Sequence, residues 1–255
     1  MTNSPIITLT TDFGVRDWYV AAMKGVILRL APEAQLVDVS HEVPPQSVAG
    51  AAYLLESLCD TFPAETIHLA VVDPGVGTER LAIAVATPHG TFVGPDNGIF
   101  TPFLDSAYTA VELANPRYQR SPVSRTFHGR DIFAPAAGHL AAGIPLLEFG
   151  PRVEAPQLLR ELLPTAEGGT VQGTIRHIDH FGNAISNILE GEIARDADIM
   201  VAGTTIHGVA AHYQERRVAA LIGSSGYLEI AIGNGSAAQT LGIRTGDKVV
   251  VRMRG

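Results

Sequence analysis

Positive charge is scarce in this chain: 18 lysines and arginines stand against 26 aspartates and glutamates, a formal balance of −8. A nucleic-acid backbone demands a dense basic footprint, so that partner is excluded and a small or cationic ligand fits better. Cysteine is nearly absent. The one residue, Cys59, cannot close an internal disulfide and follows an apolar pattern, which points to an inert buried thiol and agrees with a cytoplasmic setting. The N-terminus lacks a basic region followed by an apolar core, and no run approaches the roughly 20 apolar residues of a membrane span. Neither export nor membrane insertion is expected. A fixed-period repeat, a low-complexity tract and a heptad pattern are missing as well.

What is present is an apolar fraction of 46% over 255 residues, enough for a substantial core in one large or two smaller domains. The run 6–10 reads as a strand that ends in Thr11-Asp12-Phe13-Gly14, with Asp17 and then a helical pattern through Tyr19, Met23, Val26, Ile27 and Leu30. Residues 36–39 give a second strand, and a helix follows Pro44-Pro45. Residues 67–72 give a third strand. A hairpin is expected over 81–87 and 91–93 around Pro88-His89-Gly90, then a strand at 111–113 and a helix over 132–142 with Asp131 near its N-terminus. This alternation predicts an α/β, Rossmann-like N-terminal domain built on a largely parallel sheet covered on both faces, residues 1–164. After a Pro/Gly-punctuated stretch, short strand candidates at 173–178, 184–189, 198–201, 218–222, 227–232 and 248–252 predict a smaller all-β barrel or sandwich, residues 168–255.

The third strand delivers Asp73 at its end, then breaks at Pro74-Gly75, and Arg80 follows. Ligands in open α/β sheets sit beyond the carboxyl ends of strands, where Asp12, Asp17 and Asp73 fall, with His128 just before a helix. Read alone, Asp73 could merely cap its turn and His128 could be a packing or capping residue. Together, an aspartate, an arginine and a histidine without a neighbouring Ser or Cys nucleophile suit the steering and deprotonation of water. A metal-dependent phosphoesterase using Asp12, Asp17, His41 and Asp73 is the alternative, but their spacing matches no dedicated metal motif. Asp12-Phe13-Gly14 lacks the other kinase elements, and Gly75-Val76-Gly77 lacks the third glycine of a dinucleotide fingerprint. Ile178-Asp179-His180-Phe181-Gly182-Asn183 could hold a purine or an ammonium group, or be an ordinary Asx-rich turn. Ser224-Ser225-Gly226-Tyr227 reads equally as a hairpin turn.

Six blocks in order resemble the S-adenosyl-L-methionine (SAM) hydroxide adenosyltransferases, adenosine-forming hydrolases related to the SAM-dependent fluorinase and chlorinase. They are Thr10-Thr11-Asp12-Phe13-Gly14 with Asp17, Val37-Asp38-Val39-Ser40-His41, Val72-Asp73-Pro74-Gly75-Val76-Gly77 with Arg80, Gly94-Pro95-Asp96-Asn97-Gly98, Phe127-His128-Gly129-Arg130-Asp131, and the block from Ile178 to Asn183. The resemblance implies a catalytic set of Asp73, Arg80 and His128. It implies that Asp12 holds the ribose hydroxyls, that Asp17, Asp179 and Ser224 bind the methionine end, and that Phe181 and Asn183 hold the adenine. It further implies SAM as substrate, adenosine as product, no cofactor or metal, and a homotrimer with sites at subunit interfaces. The halogenating relatives carry a tryptophan where this chain has Gln46, a halide pocket where it has Asp73, and a serine where it has Gly129. A carboxylate at position 73 disfavours a desolvated halide. A non-catalytic SAM or adenosine sensor is the remaining alternative, though it would not need the full Asp/Arg/His set.

Overall fold

In order along the chain, the first strands and helices are β1 (Ile6–Thr11), α1 (Tyr19–Leu30), β2 (Gln35–Ser40), α2 (Val48–Leu58), β3 (Ile67–Val71), β4 (Ala82–Thr87), β5 (Gly90–Pro95), β6 (Thr109–Glu112) and α3 (Ala134–Ala141). This is a computed structural model that describes residues 4–104 and 107–254. The chain divides into two units, Met1–Leu159 and Arg160–Gly255.

The strands of the first unit form one sheet in the order β2-β1-β3-β5-β4-β6. The pairings β1 with β2, β1 with β3 and β3 with β5 are parallel, whereas β4 runs antiparallel to both β5 and β6. The sheet is therefore mixed. Its antiparallel edge comes from the tight hairpin at Pro88-His89-Gly90, since a turn this short can only reverse the strand. Period-two alternation sends Ile7, Leu9, Ile67, Leu69 and Val71 to one face, against Met23 and Ile27 of α1 and the alanines of α3. Ala70 and Val72 point to the other face, against Ala51 and Leu55 of α2. Small residues set the helix spacing: a Cβ on Gly138 would lie 3.0 Å from Leu30, so α3 sits close on α1. Ser47 caps α2 by accepting from the Gly50 amide at 3.3 Å.

The second unit contains β7 (Thr165–Glu167), β8 (Thr170–Ile178), β9 (Ala184–Leu189), β10 (Asp198–Val201), β11 (Thr204–His207), β12 (Val218–Ile222), β13 (Tyr227–Ile232), the short α4 (Ala237–Leu241) and β14 (Lys248–Arg252). Every ladder among them is antiparallel, in the order β11-β10-β14-β8-β9-β13-β12 with β7 added beside β8. The sheet curls almost into a barrel around Val171, Ile188, Ile199, Leu228, Ile230, Val249 and Val251.

Two local expectations are corrected. The helix expected over 132–142 begins earlier, with a π-helical turn at Gly129–Phe133 that leads into α3; Asp131, expected near the helix N-terminus, lies in that first turn and is fully buried. The second arm of the hairpin, expected over 91–93, runs from Gly90 to Pro95, so that Gly94 and Pro95 pair with Ile83 and Ala82 inside the sheet.

Candidate active site

Strand order reverses between β1 and β3: α1 carries the chain from β1 to β2 on one side, and α2 carries it back past β1 to β3 on the other. Such a switch point opens a crevice beyond the strand ends. Thr11 is in register with Val71, so Asp12 and Asp73 leave adjacent strands at that crevice. Asn97 pins the end of β3 by donating its side-chain amide to the Val72 carbonyl at 2.9 Å. Gly94 lets β5 approach, because a Cβ there would sit 2.3 Å from the Ala70 carbonyl oxygen.

The chain then turns back on itself, with the Val76 amide donating to the Asp73 carbonyl and the Thr78 amide to the Gly75 carbonyl. Gly77 occupies the left-handed region at φ +78°. This turn returns Arg80 to Asp73. Arg80 Nε donates to both carboxylate oxygens at 3.0 and 3.2 Å, and its terminal nitrogen donates to Oδ2 at 2.5 Å. The same terminal nitrogen lies 2.7 Å from His128 Nδ1. Beneath, the guanidinium rests 5.3 Å from the centroid of Phe133, a residue of the π-helical turn. The Asp73 and Arg80 side chains are only 5% and 9% exposed, so the pair is held in a region of low dielectric.

The contact fixes the histidine's tautomer. Arginine can only donate, so Nδ1 accepts and the neutral ring carries its proton on Nε2. Burial lowers the His128 pKa below its usual value, and the Arg80 charge adds to this against the opposing pull of Asp73 and Asp131. The turn behind His128 is clamped by Asp131, which accepts from Arg130 at 2.7 and 2.8 Å and from the Ser124 amide at 2.9 Å. Those contacts hold its carboxylate below the usual range despite complete burial of the side chain.

Asp12 accepts from the Gln46 amide at 2.8 Å through Oδ2, while Asp17 is exposed just before α1. Phe13, Trp18, Tyr19, Phe127 and Arg130 line a cavity of about 390 Å³ together with Ser124 and Thr126. The structure thus brings Asp73, Arg80 and His128 into one chain of contacts. It places Asp12 on the neighbouring strand end and leaves Asp17 on the surface.

In the second unit, Asp179 organises the β8–β9 turn. Its Oδ1 accepts from the Phe181 and Asn183 amides at 2.9 and 2.8 Å, and its Oδ2 accepts from the Asn183 side chain at 2.9 Å. Gly182, at φ +83°, leaves space that any Cβ would lose to Ser236. Phe181 is 74% exposed, a large apolar surface left open at the turn, while Asn183 is buried. Ser224 lies exposed in the turn between β12 and β13. Sequence reasoning named Asn97, Gln46 and Asp131 for other reasons and Phe133 not at all, and it missed the contacts by which they hold the site residues in place. Asn97 and Asp131 carried a signal, both lying in blocks of the family resemblance and Asp131 also near a helix start.

The chain matches the SAM hydroxide adenosyltransferase N-terminal domain over residues 7–150 and the C-terminal domain of the same family over residues 173–250. It is 40% identical to a protein of Salinispora tropica named (R)-S-adenosyl-L-methionine hydrolase, over 98% of this chain and 99% of the relative. A Thermus thermophilus protein of the same name is also 40% identical, over 92% of this chain and 95% of its own. Among solved structures, an uncharacterized conserved protein from Thermotoga maritima superposes with a TM-score of 0.88 at 35% identity, covering 97% of this chain and all of the other.

Proposed function

The chain belongs to the SAM hydroxide adenosyltransferase family, and from that premise we propose how its own residues work as a SAM hydrolase. The enzyme cleaves SAM with water at ribose C5′, giving adenosine and L-methionine. The C5′–O bond forms as the C5′–S bond breaks, and the bonding pair leaves on sulfur as a neutral thioether. One proton from water is released. Sulfonium is a good leaving group and needs no acid, so no cofactor enters the scheme. Water is the poor partner, with a bulk pKa of about 15.7.

The observation that carries this reading is the Arg80 fork, which grips Asp73 and His128 at once. With Nδ1 committed to Arg80, neutral His128 offers only its Nε2–H, which suits it to orient the water oxygen. Asp73 then accepts the proton. Arg80 holds both partners in line, and a positioned relay of this type contributes about 10² to 10⁴ in rate. The cationic substrate and a hydroxide-like nucleophile cancel charge as they meet, which an enclosed site favours. A halide gains nothing here, because the Asp73 carboxylate, only 5% exposed, stands against an incoming anion.

The remaining assignments belong to the same proposal. Asp12 holds the ribose hydroxyls, Asp17, Asp179 and Ser224 take the methionine end, and Phe181 and Asn183 take the adenine. The assembly is a cytoplasmic homotrimer, a state that light scattering in solution checks directly. The decisive experiment incubates the protein with SAM in ¹⁸O-labelled water. Label in the 5′-hydroxyl of adenosine is expected; 5′-chloro-adenosine formed in chloride buffer would overturn the reading.

A further inference from the structure

Cys59 follows α2 directly and opens a 3₁₀ turn, Cys59–Thr61. The turn is fixed by its backbone: the Cys59 amide donates to the Leu55 carbonyl, and the Phe62 amide donates to the Cys59 carbonyl at 3.1 Å. Across from it stands His89, in the tight turn between β4 and β5. The Thr87 hydroxyl accepts from the His89 amide at 3.1 Å, and the imidazole packs on Phe103 with ring centroids 6.2 Å apart. Two stretches far apart in the chain thus present sulfur, carboxylate and imidazole to one point.

One ligand atom from each of Cys59, Asp60 and His89 lies within 4.8 Å of the other two. Asp60 Oδ1 is 2.6 Å from His89 Nδ1 and 3.8 Å from Cys59 Sγ. Cys59 forms the floor at 3% exposure, and Asp60 and His89 form the rim, with side chains 76% and 40% exposed. A His–Asp pair on its own would be an ordinary surface contact, worth little. The thiol beneath changes its character. Neither of the sulfur's contacts, 3.7 Å to the Glu56 carbonyl and 3.8 Å to Asp60, is a strong hydrogen bond. The donor set also selects its ion: sulfur and nitrogen disfavour calcium and magnesium, which take oxygen, and suit zinc and its neighbours. Three protein ligands and a water complete a tetrahedron.

We infer that Cys59, Asp60 and His89 form a binding site for Zn²⁺ or a divalent ion of the same class, which ties the β4–β5 hairpin to the end of α2. On coordination the thiol proton leaves to solvent, and the Nδ1 proton of the neutral ring moves to Nε2 as Nδ1 takes the metal. Without metal the thiol keeps its proton, because burial, and then the Asp60 charge, raise its pKa to about 11. The same negative charge attracts a cation, and a coordinating thiol is deprotonated outright. The inert character expected of Cys59 therefore describes the metal-free protein only. The hairpin turn meets the start of β3, where Ile67 pairs with Thr91, whereas Asp73 follows its end. About 20 Å of strand separates the two places, so the metal takes no part in the hydrolysis.

The test titrates the untagged full chain with Co²⁺, which takes the same ligands. The chain has a single cysteine, so a thiolate-to-cobalt charge-transfer band in the near ultraviolet can arise only from Cys59. Wild type is expected to show that band saturating at a single equivalent and to lose it when Zn²⁺ is added. Its Tm is expected to rise by about 5 °C at a hundredfold excess of Zn²⁺ over Kd. Cys59→Ser should abolish both the band and the thermal gain. Asp60→Asn and His89→Ala, both at the surface, are expected to weaken Co²⁺ binding about 10-fold or more, and they keep the test readable should Cys59→Ser fail to fold. Absence of the band in wild type would overturn the inference. So would unchanged affinity in both rim variants, and so would an equal thermal gain in Cys59→Ser, the mark of adventitious binding to the surface histidine and carboxylate only.

Discussion

At the scale of single residues, the chemistry turns on which atom of His128 is free. Arg80 holds Nδ1 at 2.7 Å, and protonating that nitrogen would set two donors against each other. The active ring is therefore the neutral one, and activity must fail as pH drops through the His128 pKa. Burial, then the Arg80 charge, places that pKa below the ordinary histidine value of about 6.5. The sign for stability follows: between the ordinary value and the lowered one the unfolded chain binds more protons than the native state, so falling pH costs stability in that window. In the wild type, the acid limb of kcat/KM is expected below the usual histidine range. In Arg80→Gln the limb shifts toward higher pH, because one of the two lowering causes is gone while burial remains. Asp73→Asn moves the ring the other way, since Asp73 raises it. Ring ¹⁵N chemical shifts through the titration measure each case without relying on turnover, and an unshifted midpoint in Arg80→Gln would disconnect the arginine from the histidine.

At the scale of elements, the loop from β3 to β4 is what makes an aspartate and an arginine seven positions apart into one unit, and its two glycines do different work. Gly77 needs its left-handed φ of +78°, and a Cβ there would lie 2.5 Å from the Arg125 carbonyl oxygen, which is backbone and cannot swing away. Gly77→Ala should therefore cost about 1–3 kcal/mol and lower the melting temperature by several degrees. At Gly75 a Cβ would come 3.2 Å from Arg80 Cγ, a side-chain contact. Gly75→Ala is thus expected to leave the melting temperature nearly unchanged while reducing kcat, and thermal melts beside steady-state kinetics separate the two effects. This division shows how far the sequence can be read. The strand that delivers Asp73 and the Pro/Gly break after it were legible from apolar period and turn chemistry. The grouping of Arg80 with Asp73 and His128 came from their strand-end placement and the family resemblance; the geometry of the fork did not show in the local pattern, because it depends on a loop path in contact with Arg125, far along the chain. The short β7, β11 and α4 escaped for a plainer reason: three to five residues give too few repeats of any period.

At the scale of the whole molecule, the two units have separate apolar cores: one around the faces of the mixed sheet, the other inside the curled antiparallel sheet. A unit with its own core should fold without the other. The proposed chemistry is divided differently. Asp73, Arg80 and His128 belong to the first unit, whereas Asp179 and Asn183, proposed to hold the ends of the substrate, belong to the second. Folding and catalysis should therefore come apart when the chain is split between Leu159 and Arg160. Each fragment is expected to melt in a single cooperative transition by circular dichroism. The first fragment, which retains the entire water-activating set, is expected to lose SAM turnover by about 10² or more, because remote binding energy that positions C5′ against the water is lost with the second unit. Full kcat/KM in that fragment would mean the second unit takes no part in holding substrate, and the roles proposed for Asp179 and Asn183 would fall together. A first fragment that fails to melt cooperatively would instead show that its core depends on the rest of the chain, against the separation of cores described above.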